Sequence, residues 1–346
     1  MDNNVLRLIF IFVIALLMSF AATPVAHILA FKVGAVDVPK DDRRMHKKPI
    51  PRMGGVAIFY AFIVAVLCLC DVDIKLRGVL IGAAMIELLG ILDDIYDLNA
   101  VLKLIVQISA ALVVAFHGVT INFFTNPLAE GTMIQLSHLS LPITVLWIVA
   151  ITNAVNLIDG LDGLAVGISS ITSLSLFTIS VIMGDYNMAL LSIALFGACI
   201  GFLPYNFNPA SIFMGDSGST FLGFMLACIS IMGLFKTYAI LSFAAPFLVL
   251  GLPLFDTAFA IIRRIAKGQS PMKPDRGHLH HRLVDAGFTQ RRAVLVLYTV
   301  SSLLSLSAVV MMFTHDLWRT LLLVVAVLVV IIGSGTYYGK KAHKND

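Results

Sequence analysis

The chain has 346 residues, of which 59% are hydrophobic and only 13% are charged. Soluble domains carry about 25% charged residues, so this chain has too little polar surface to cover a globule of its size. The composition excludes a soluble enzyme, a disordered tail and a nucleic-acid-binding arm, and it indicates a protein surrounded mostly by lipid. The formal net charge of +4 is small for this length, so we expect no nucleic-acid partner.

Eleven apolar segments are candidate membrane-spanning helices, since about 20 apolar residues cross a bilayer. In chain order they cover approximately 4–31, 53–70, 76–92, 101–118, 141–158, 163–183, 188–205, 219–236, 239–262, 293–313 and 319–338. The predicted fold is therefore an all-α, polytopic membrane protein with a single domain over 1–346. The first segment is long and has no small-residue cleavage site, so we expect a retained helix.

The distribution of Lys and Arg predicts the orientation, because cytoplasmic loops of membrane proteins are rich in these residues. If the 32–52 loop is cytoplasmic, 19 of the 24 Lys and Arg residues fall on that side. This places the N-terminus outside and the C-terminus in the cytoplasm of a cell-membrane protein. The long outer loop 119–140 alternates in polarity on both sides of PLAEG, which predicts a small hairpin.

Two adjacent carboxylates, Asp93 and Asp94, end the third predicted span within GILDDIYDL. They repel each other and oppose the helix dipole unless a cation lies nearby. A divalent cation with oxygen ligands resolves the conflict, and the alternative is a pair of solvated acids at a helix end. Asp256, about two turns inside the ninth span, is left without an assigned role.

The segment NAVNLIDGLDGL carries Asn153, Asn156 and Asp159 at a spacing of three, followed by Asp162. This spacing places the first three along one helical face, and the glycines permit a tight turn. Four polar groups at a membrane edge favour ligand binding over a polar stripe that packs between helices.

The segment FMGDSGS contains Phe213 and Asp216 in a glycine-rich turn that leads into a helix. Such a turn offers free N–H groups to an anion, and Asp216 is positioned to hold a metal beside it. Alternatively, Ser217 or Ser219 is a helix N-cap that Asp216 assists.

A histidine cluster, His278, His280 and His281, follows Arg276 in PDRGHLHHRL. Zinc is the weaker interpretation, because no cysteine accompanies the histidines. Phosphate binding suits the cluster better, and the alternative is a basic cytoplasmic loop.

Further cations lie near these motifs on the predicted cytoplasmic side. Lys103 opens the fourth span within LKLIVQ and either extends to the interface or neutralises a lipid phosphate. The loop DVPKDDRRMHKKPIPRMGG supplies more anion contacts, among them His46 and Arg52. Carboxylates, histidines and cations on one side suit two anionic reactants that meet at Mg²⁺, with Mn²⁺ as the alternative.

Five motifs in order, DVPKDDRRMHKKPIPRMGG, GILDDIYDL with LKLIVQ, NAVNLIDGLDGL, FMGDSGS and PDRGHLHHRL, carry a family resemblance. The chain resembles the polyprenyl-phosphate N-acetylhexosamine-1-phosphate transferases over about residues 30 to 290. HLHH, in place of an unbroken histidine triplet, is similar to the WecA/TagO-like branch. The resemblance implies transfer of GlcNAc-1-phosphate from a UDP-sugar to undecaprenyl phosphate, with release of UMP, at the start of cell-envelope glycan synthesis.

The resemblance also implies roles for individual residues. The metal ligands would be Asp216, Asp93 and Asp94, and the catalytic set would add His280 and His281. The substrate-binding set would comprise Lys103, Asn153, Asn156, Asp159, Asp162, Phe213, His278, Arg276, Arg52 and His46. The catalytic face would consist of the cytoplasmic loops 32–52, 93–103, 156–162, 206–219 and 263–292.

The expected partners are a polyprenyl phosphate lipid, a UDP-N-acetylhexosamine, the membrane and, for oligomerisation, a second copy in a homodimer. Two alternatives stay open at this point. One is the lipid I synthase of peptidoglycan synthesis, which uses a peptide-bearing muramyl donor. The other is an ion-coupled transporter, although its acids would be expected near the membrane midplane on broken helices.

Overall fold

The computed structural model describes residues 3–38, 49–125, 133–233, 240–266 and 278–314, together with Gly268 and Val325. Within these residues the chain forms twelve α-helices and two short antiparallel strand pairs. The helices are α1 Asn3–Val33, α2 Gly55–Leu69, α3 Ile74–Tyr96, α4 Ala100–Phe116, α5 Ser140–Ile158, α6 Leu164–Ile182, α7 Tyr186–Asn206, α8 Gly215–Gly233, α9 Ile240–Val249, α10 Gly251–Ala266, α11 Leu279–Asp285 and α12 Gln290–Thr314. The strands are β1 Val36–Asp37, β2 Ile50–Pro51, β3 Phe123–Thr125 and β4 Met133–Gln135, and a 3-10 helix covers Ser137–Leu139.

The predicted all-α membrane fold is confirmed by the length and composition of the helices. Six helical segments within the described part of the chain are long and apolar enough to cross a membrane. They are Asn3–Val33, Ser137–Ile158, Leu164–Ile182, Tyr186–Asn206, Gly215–Gly233 and Gln290–Thr314, and the shorter α2 and α4 are also apolar. The count of eleven spans and the orientation stay predictions, and the predicted span 319–338 lies outside the described residues apart from Val325.

The predicted ninth span, 239–262, consists of two helices, α9 and α10, that meet at Leu250. Pro253 explains the break, because a proline ring clashes with the carbonyl four residues earlier, here that of Val249. The hairpin predicted within 119–140 is confirmed: β3 and β4 pair antiparallel, with Phe124 opposite Ile134.

Helix α8 is the centre of the bundle and packs against α2, α3, α5 and α6. Every residue from Ser217 to Gly233 is buried. Glycines allow the neighbouring helices to approach α8 closely: a Cβ at Gly55 would lie 1.9 Å from Gly218 N, and one at Gly90 would lie 2.3 Å from Ser217 Cα. Small residues at helix crossings are the usual device for close packing in membranes. Here they bring the start of α2 and the C-terminal part of α3 against the start of α8.

Candidate active site

The polar motifs meet at one end of the bundle, where α3, α5 and α7 end and α4, α6 and α8 begin. A cavity of about 460 Å³ opens between these helix ends. It is lined by Asp37, Arg52, Asp94, Asn156, Asp159, Gly160, Leu161, Asp162, Asn206, Phe213, Met214, Gly215, Asp216, His281 and Gln290. Residues from all five motifs therefore line one cavity.

Lys103 links two of the predicted catalytic carboxylates. Its Nζ lies 2.7 Å from Asp93 Oδ2 and 3.6 Å from Asp216 Oδ2. The other oxygen of Asp93 accepts a hydrogen bond from the N–H of Leu98 at 2.7 Å. The Asp93 side chain is 1% exposed, whereas that of Asp216 is 35% exposed. Asp93 thus holds Lys103 in place, and Asp216 presents its carboxylate to the cavity.

Asp94 caps the start of α8. Its Oδ1 accepts from the N–H of Asp216 at 2.9 Å, and its Oδ2 accepts from the N–H and the hydroxyl of Ser217 at 3.1 Å and 2.8 Å. A carboxylate at a helix N-terminus satisfies free N–H groups and is favoured by the helix dipole. The contact requires a glycine at 215, where φ is +75° and a Cβ would lie 2.5 Å from Asp94 Oδ2. Asp94 therefore fixes the position of Asp216 relative to α3.

Asn156 and Asn153, which the sequence places on one helical face, make different contacts. The Nδ2 of Asn156 donates to Asp216 Oδ1 at 2.6 Å and to Ser219 Oγ at 2.8 Å. The Nδ2 of Asn153, one turn farther from the helix end, donates to Gln107 Oε1 at 2.6 Å. Asn156 lines the cavity and orients Asp216, whereas Asn153 joins α5 to α4 and does not line the cavity.

Asp159 and Asp162 lie on the turn between α5 and α6 and both line the cavity. Burial, together with the negative charges of Asp216, Asp94 and Asp162, raises the pKa of Asp159 to about 8. Asp162 is held by the backbone N–H of Ala210 at 3.1 Å, and its Oδ2 also accepts from an amide N–H of Asn208. The turn therefore carries one carboxyl group, that of Asp159, which lies near several negative charges, and a second, that of Asp162, which is hydrogen-bonded to the loop before α8.

The basic loop reaches the cavity through Arg52, which follows β2. Its Nε donates to the backbone carbonyl of Asp94 at 3.2 Å. Arg52 pairs with Phe213 in an isolated parallel bridge, and the N–H of Phe213 donates to the carbonyl of Pro51 at 2.8 Å. This contact places a guanidinium and an aromatic ring side by side at the cavity wall.

The histidine cluster begins α11 and packs against the α5–α6 turn. His280 is 2% exposed, and a Cβ at Gly160 would lie 2.3 Å from its Nε2. Burial and the neighbouring His281 lower the pKa of His280 to about 4, so its ring is neutral at pH 7. His281 lines the cavity, while His278 is buried behind it.

The lining suits a hard divalent cation. Among the described residues that line the cavity, five carboxyl groups face one guanidinium, and carboxylate oxygens are preferred ligands of Mg²⁺. Asp93 and Asp94 already accept N–H groups, and the described residues contain no cluster of three or more His, Cys, Asp or Glu arranged for a metal. Mg²⁺ is usually held by one or two carboxylates and substrate phosphates, which fits Asp216. The set Asp93, Asp94 and Asp216 as joint ligands stays a prediction.

Two of the predicted binding residues, His46 and Arg276, lie outside the described residues. The structure adds residues to the site for which no role was predicted: Asp37, Asn206 and Gln290 in the cavity wall, Gln107 behind Asn153, and Asp256 behind His278. Two of these residues could have been identified from the sequence, because Asp37 is the first residue of the first motif and Asp256 is an acidic residue inside a predicted span. Gln107, Asn206 and Gln290 are ordinary polar residues that only the fold brings to the site.

Comparisons with known proteins identify the family of the chain. The model of the family described as "Glycosyl transferase family 4" matches residues 76–234. The chain is 40% identical over 330 residues to the "Probable undecaprenyl-phosphate N-acetylglucosaminyl 1-phosphate transferase" of Bacillus subtilis, covering 95% of this chain and 91% of the relative.

Two further relatives come from other bacterial groups. The "Decaprenyl-phosphate N-acetylglucosaminephosphotransferase" of Mycolicibacterium smegmatis is 37% identical over 92% of this chain and 85% of its own length. The "Undecaprenyl-phosphate alpha-N-acetylglucosaminyl 1-phosphate transferase" of Escherichia coli K12 is 30% identical over 93% of this chain and 87% of its own length.

Proposed function

This chain belongs to glycosyl transferase family 4, and we propose that it transfers GlcNAc-1-phosphate from UDP-GlcNAc to undecaprenyl phosphate. A phosphate oxygen of the lipid forms a bond to the β-phosphorus of the donor, the bond between the β-phosphorus and the bridging oxygen breaks, and UMP leaves. The product, undecaprenyl-diphosphate-GlcNAc, starts the synthesis of a cell-envelope glycan. The observation that carries this proposal is the convergence of five motifs on one cavity beside a lysine and an apolar groove.

The acceptor phosphate is placed beside Lys103. An ammonium group has three N–H donors, and Asp93 holds the ammonium at 2.7 Å while the side chain keeps 29% of its exposure. The remaining donors are available to a phosphate oxygen. Because Nζ also lies 3.6 Å from Asp216, a phosphate bound there is next to the carboxylate that faces the donor.

The polyprenyl chain is placed in an apolar groove that begins one residue after Lys103. The groove, of about 420 Å³, is lined by Leu104, Ile108, Leu112, Leu141, Pro142, Val145, Leu146 and Val149 on α4 and α5. Leu104, Ile108 and Leu112 recur at every fourth position, so they follow one face of α4 for about 12 Å. A lipid phosphate at Lys103 would thus be continuous with a path for its tail.

The nucleotide sugar occupies the cavity. Phe213 offers a ring for the uracil, Arg52 offers a guanidinium to the diphosphate, and His281 reaches the cavity from the histidine cluster. Phosphoryl transfer requires chiefly positioning and charge neutralisation. The neighbouring carboxyl groups of Asp159 and Asp162 have oxygen atoms that are suited to accept hydrogen bonds from the ribose and sugar hydroxyl groups.

Asp216 would hold Mg²⁺ together with phosphate oxygens of the donor, and the bound ion would neutralise the negative charge of the diphosphate. Asn156 keeps the Asp216 carboxylate in place by its 2.6 Å hydrogen bond. The lipid phosphate needs no strong general base, because the second pKa of a phosphate monoester is about 6. We therefore assign Asp93 the role of positioning Lys103 in preference to proton abstraction.

The active site faces the cytoplasm in this proposal. The support is the distribution of 19 of 24 Lys and Arg residues on the side that carries the motifs. UDP-sugars are soluble and polar, so a donor site on that side needs no passage of the nucleotide through the membrane.

The proposal is tested with purified protein in nanodiscs, undecaprenyl phosphate, Mg²⁺ and a panel of UDP-sugars. We expect UMP release and a lipid-linked product with UDP-GlcNAc, no activity in Asp216→Asn, and an unchanged rate in the control Cys68→Ala, an exposed residue on α2. A preference for UDP-MurNAc-pentapeptide would establish a lipid I synthase instead. Ion-dependent flux in proteoliposomes without any UMP would favour a transporter.

A further inference from the structure

Asp256 on α10 is joined to the histidine cluster by two hydrogen bonds. Its Oδ2 lies 2.9 Å from His278 Nδ1, and its Oδ1 accepts from the backbone N–H of Leu279 at 2.9 Å. Both side chains of the pair are buried, with exposures of 5% for Asp256 and 6% for His278. One carboxylate therefore fixes a histidine ring and the first residue of α11 at the same time.

The three histidine rings form a continuous series from Asp256 to the cavity. His278 stacks on His280 with ring centroids 5.8 Å apart and planes 10° apart. His280 in turn lies 4.2 Å from His281, which lines the cavity. His280 also packs against Gly160, where an added Cβ would lie 2.3 Å from its Nε2, so the series is in contact with the α5–α6 turn.

We propose that Asp256 is a positioning residue for the transfer reaction, which orients His278 and through it the histidine series that reaches the substrate cavity. This inference rests on the proposed function of the cavity. A carboxylate oxygen accepts hydrogen bonds, so the 2.9 Å contact with Asp256 Oδ2 assigns a proton to Nδ1 of His278. Carboxylates that fix a histidine tautomer in this way raise the activity of metal and triad sites.

The test uses Asp256→Asn with Thr257→Val as the matched control. An asparagine keeps an acceptor for Leu279 and replaces only the oxygen that faces His278 by an N–H donor. Thr257 is the next residue of α10, and its buried hydroxyl has no hydrogen-bond partner among the described residues. The readouts are kcat, the thermal midpoint of unfolding, and the ring nitrogen chemical shifts of His278, assigned by comparison with His278→Gln.

We expect Asp256→Asn to lower kcat by about 10- to 100-fold, with a thermal midpoint close to that of Thr257→Val. We also expect the His278 proton to move from Nδ1 to Nε2. In a His278→Gln background the same change should have less than about a twofold effect, because the positioning residue then has nothing to orient.

Equal kcat values for Asp256→Asn and wild type, or full additivity with His278→Gln, would overturn the inference. If Asp256→Asn does not fold, the ring nitrogen chemical shifts of His278 in the wild type test the inference. A proton on Nε2 alone contradicts it, and a proton on Nδ1 supports it. A wild-type protein that forms no lipid-linked product refutes the proposed function itself, whereas the nitrogen shifts report on the Asp256–His278 pair independently.

Discussion

Gly90→Ala tests whether close contact between α3 and α8 builds the active site. The added Cβ would lie 2.3 Å from Ser217 Cα and 2.6 Å from Ser217 N, both backbone atoms that cannot rotate away. Ordinary contact begins at 3.4 Å, so the two helices must separate by about 1.1 Å at this point. Gly90 is one turn before Asp94, and the separation is therefore transmitted to the cap of α8.

The expected magnitude follows from the bonds at that cap. Asp94 accepts from Asp216 N and Ser217 N at 2.9 Å and 3.1 Å, and a further 1 Å removes both as hydrogen bonds. Overpacking in a close-packed interior costs about 1–3 kcal/mol. A displacement of about 1 Å at a catalytic group can reduce the rate about 100-fold. We expect both effects in Gly90→Ala.

The assay measures UMP release and thermal unfolding in the same nanodisc preparation. The control is Gly233→Ala at the other end of α8, where the nearest atom to a new Cβ among the described residues is Met188 Cγ at 3.6 Å, an ordinary contact. The control should retain wild-type activity and stability. Wild-type activity in Gly90→Ala would refute the reasoning, because the α3–α8 contact would then not determine where Asp216 lies.

Three further predictions concern the surroundings of the site. Asn153→Ala should lower the free energy of unfolding by about 1–3 kcal/mol, because buried Gln107 loses its hydrogen-bond partner, and it should change KM for UDP-GlcNAc by less than about twofold. A large rise in KM would instead place Asn153 in the donor site. The pKa of Asp159 is raised to about 8 in the folded protein, so between about pH 4 and pH 8 the carboxyl group loses its proton mainly in the unfolded state, and the stability of the fold falls as the pH rises. Asp159→Asn should therefore raise the thermal midpoint of unfolding, measured in EDTA, at pH 8 but not at pH 4. The same midpoint as wild type at pH 8 would contradict the raised pKa. The pKa of His280 is lowered to about 4 in the folded protein, so between about pH 6.5 and pH 4 only the unfolded state takes up the proton, and the wild type should lose up to about 3 kcal/mol of stability in this range. Denaturant titrations should show that His280→Gln lacks this loss. Parallel pH profiles of stability for the two proteins would argue against a buried neutral ring.

The membrane helices could be predicted from the sequence because a run of apolar residues has few alternatives in lipid. The same criterion missed the break inside 239–262, since it measures hydrophobicity over a window and ignores the backbone. Pro253 carried the missing signal, as it removes a backbone donor and clashes with the preceding turn.

The convergence of the motifs could also be anticipated from helix alternation, but the direction of each side chain could not. Asp93 and Asp94 are neighbours in the chain, yet successive helical residues point about 100° apart. One therefore meets Lys103 on α4 and the other meets the start of α8. Which helix lies on which side of α3 is a property of the fold, and no local pattern in GILDDIYDL contains it.

Depth along a helix was a second unknown. Asn153 and Asn156 share a face, as their spacing predicts, but only Asn156 is at the level of the cavity. One helical turn is 5.4 Å. Over this distance the hydrogen-bond partner changes from the Asp216 carboxylate, which Asn156 contacts, to the Gln107 amide, which Asn153 contacts.

The central claim is that the sugar moves together with its β-phosphate onto the lipid. The most direct measurement uses UDP-GlcNAc with a carbon label in the sugar and a phosphorus label at the β-phosphate, incubated with the protein, undecaprenyl phosphate and Mg²⁺. We predict both labels in equal molar amounts in the extracted lipid, with unlabelled UMP in the aqueous phase. Sugar label in the lipid while the phosphorus label stays in UDP would contradict the claim, as would the absence of both labels from the lipid.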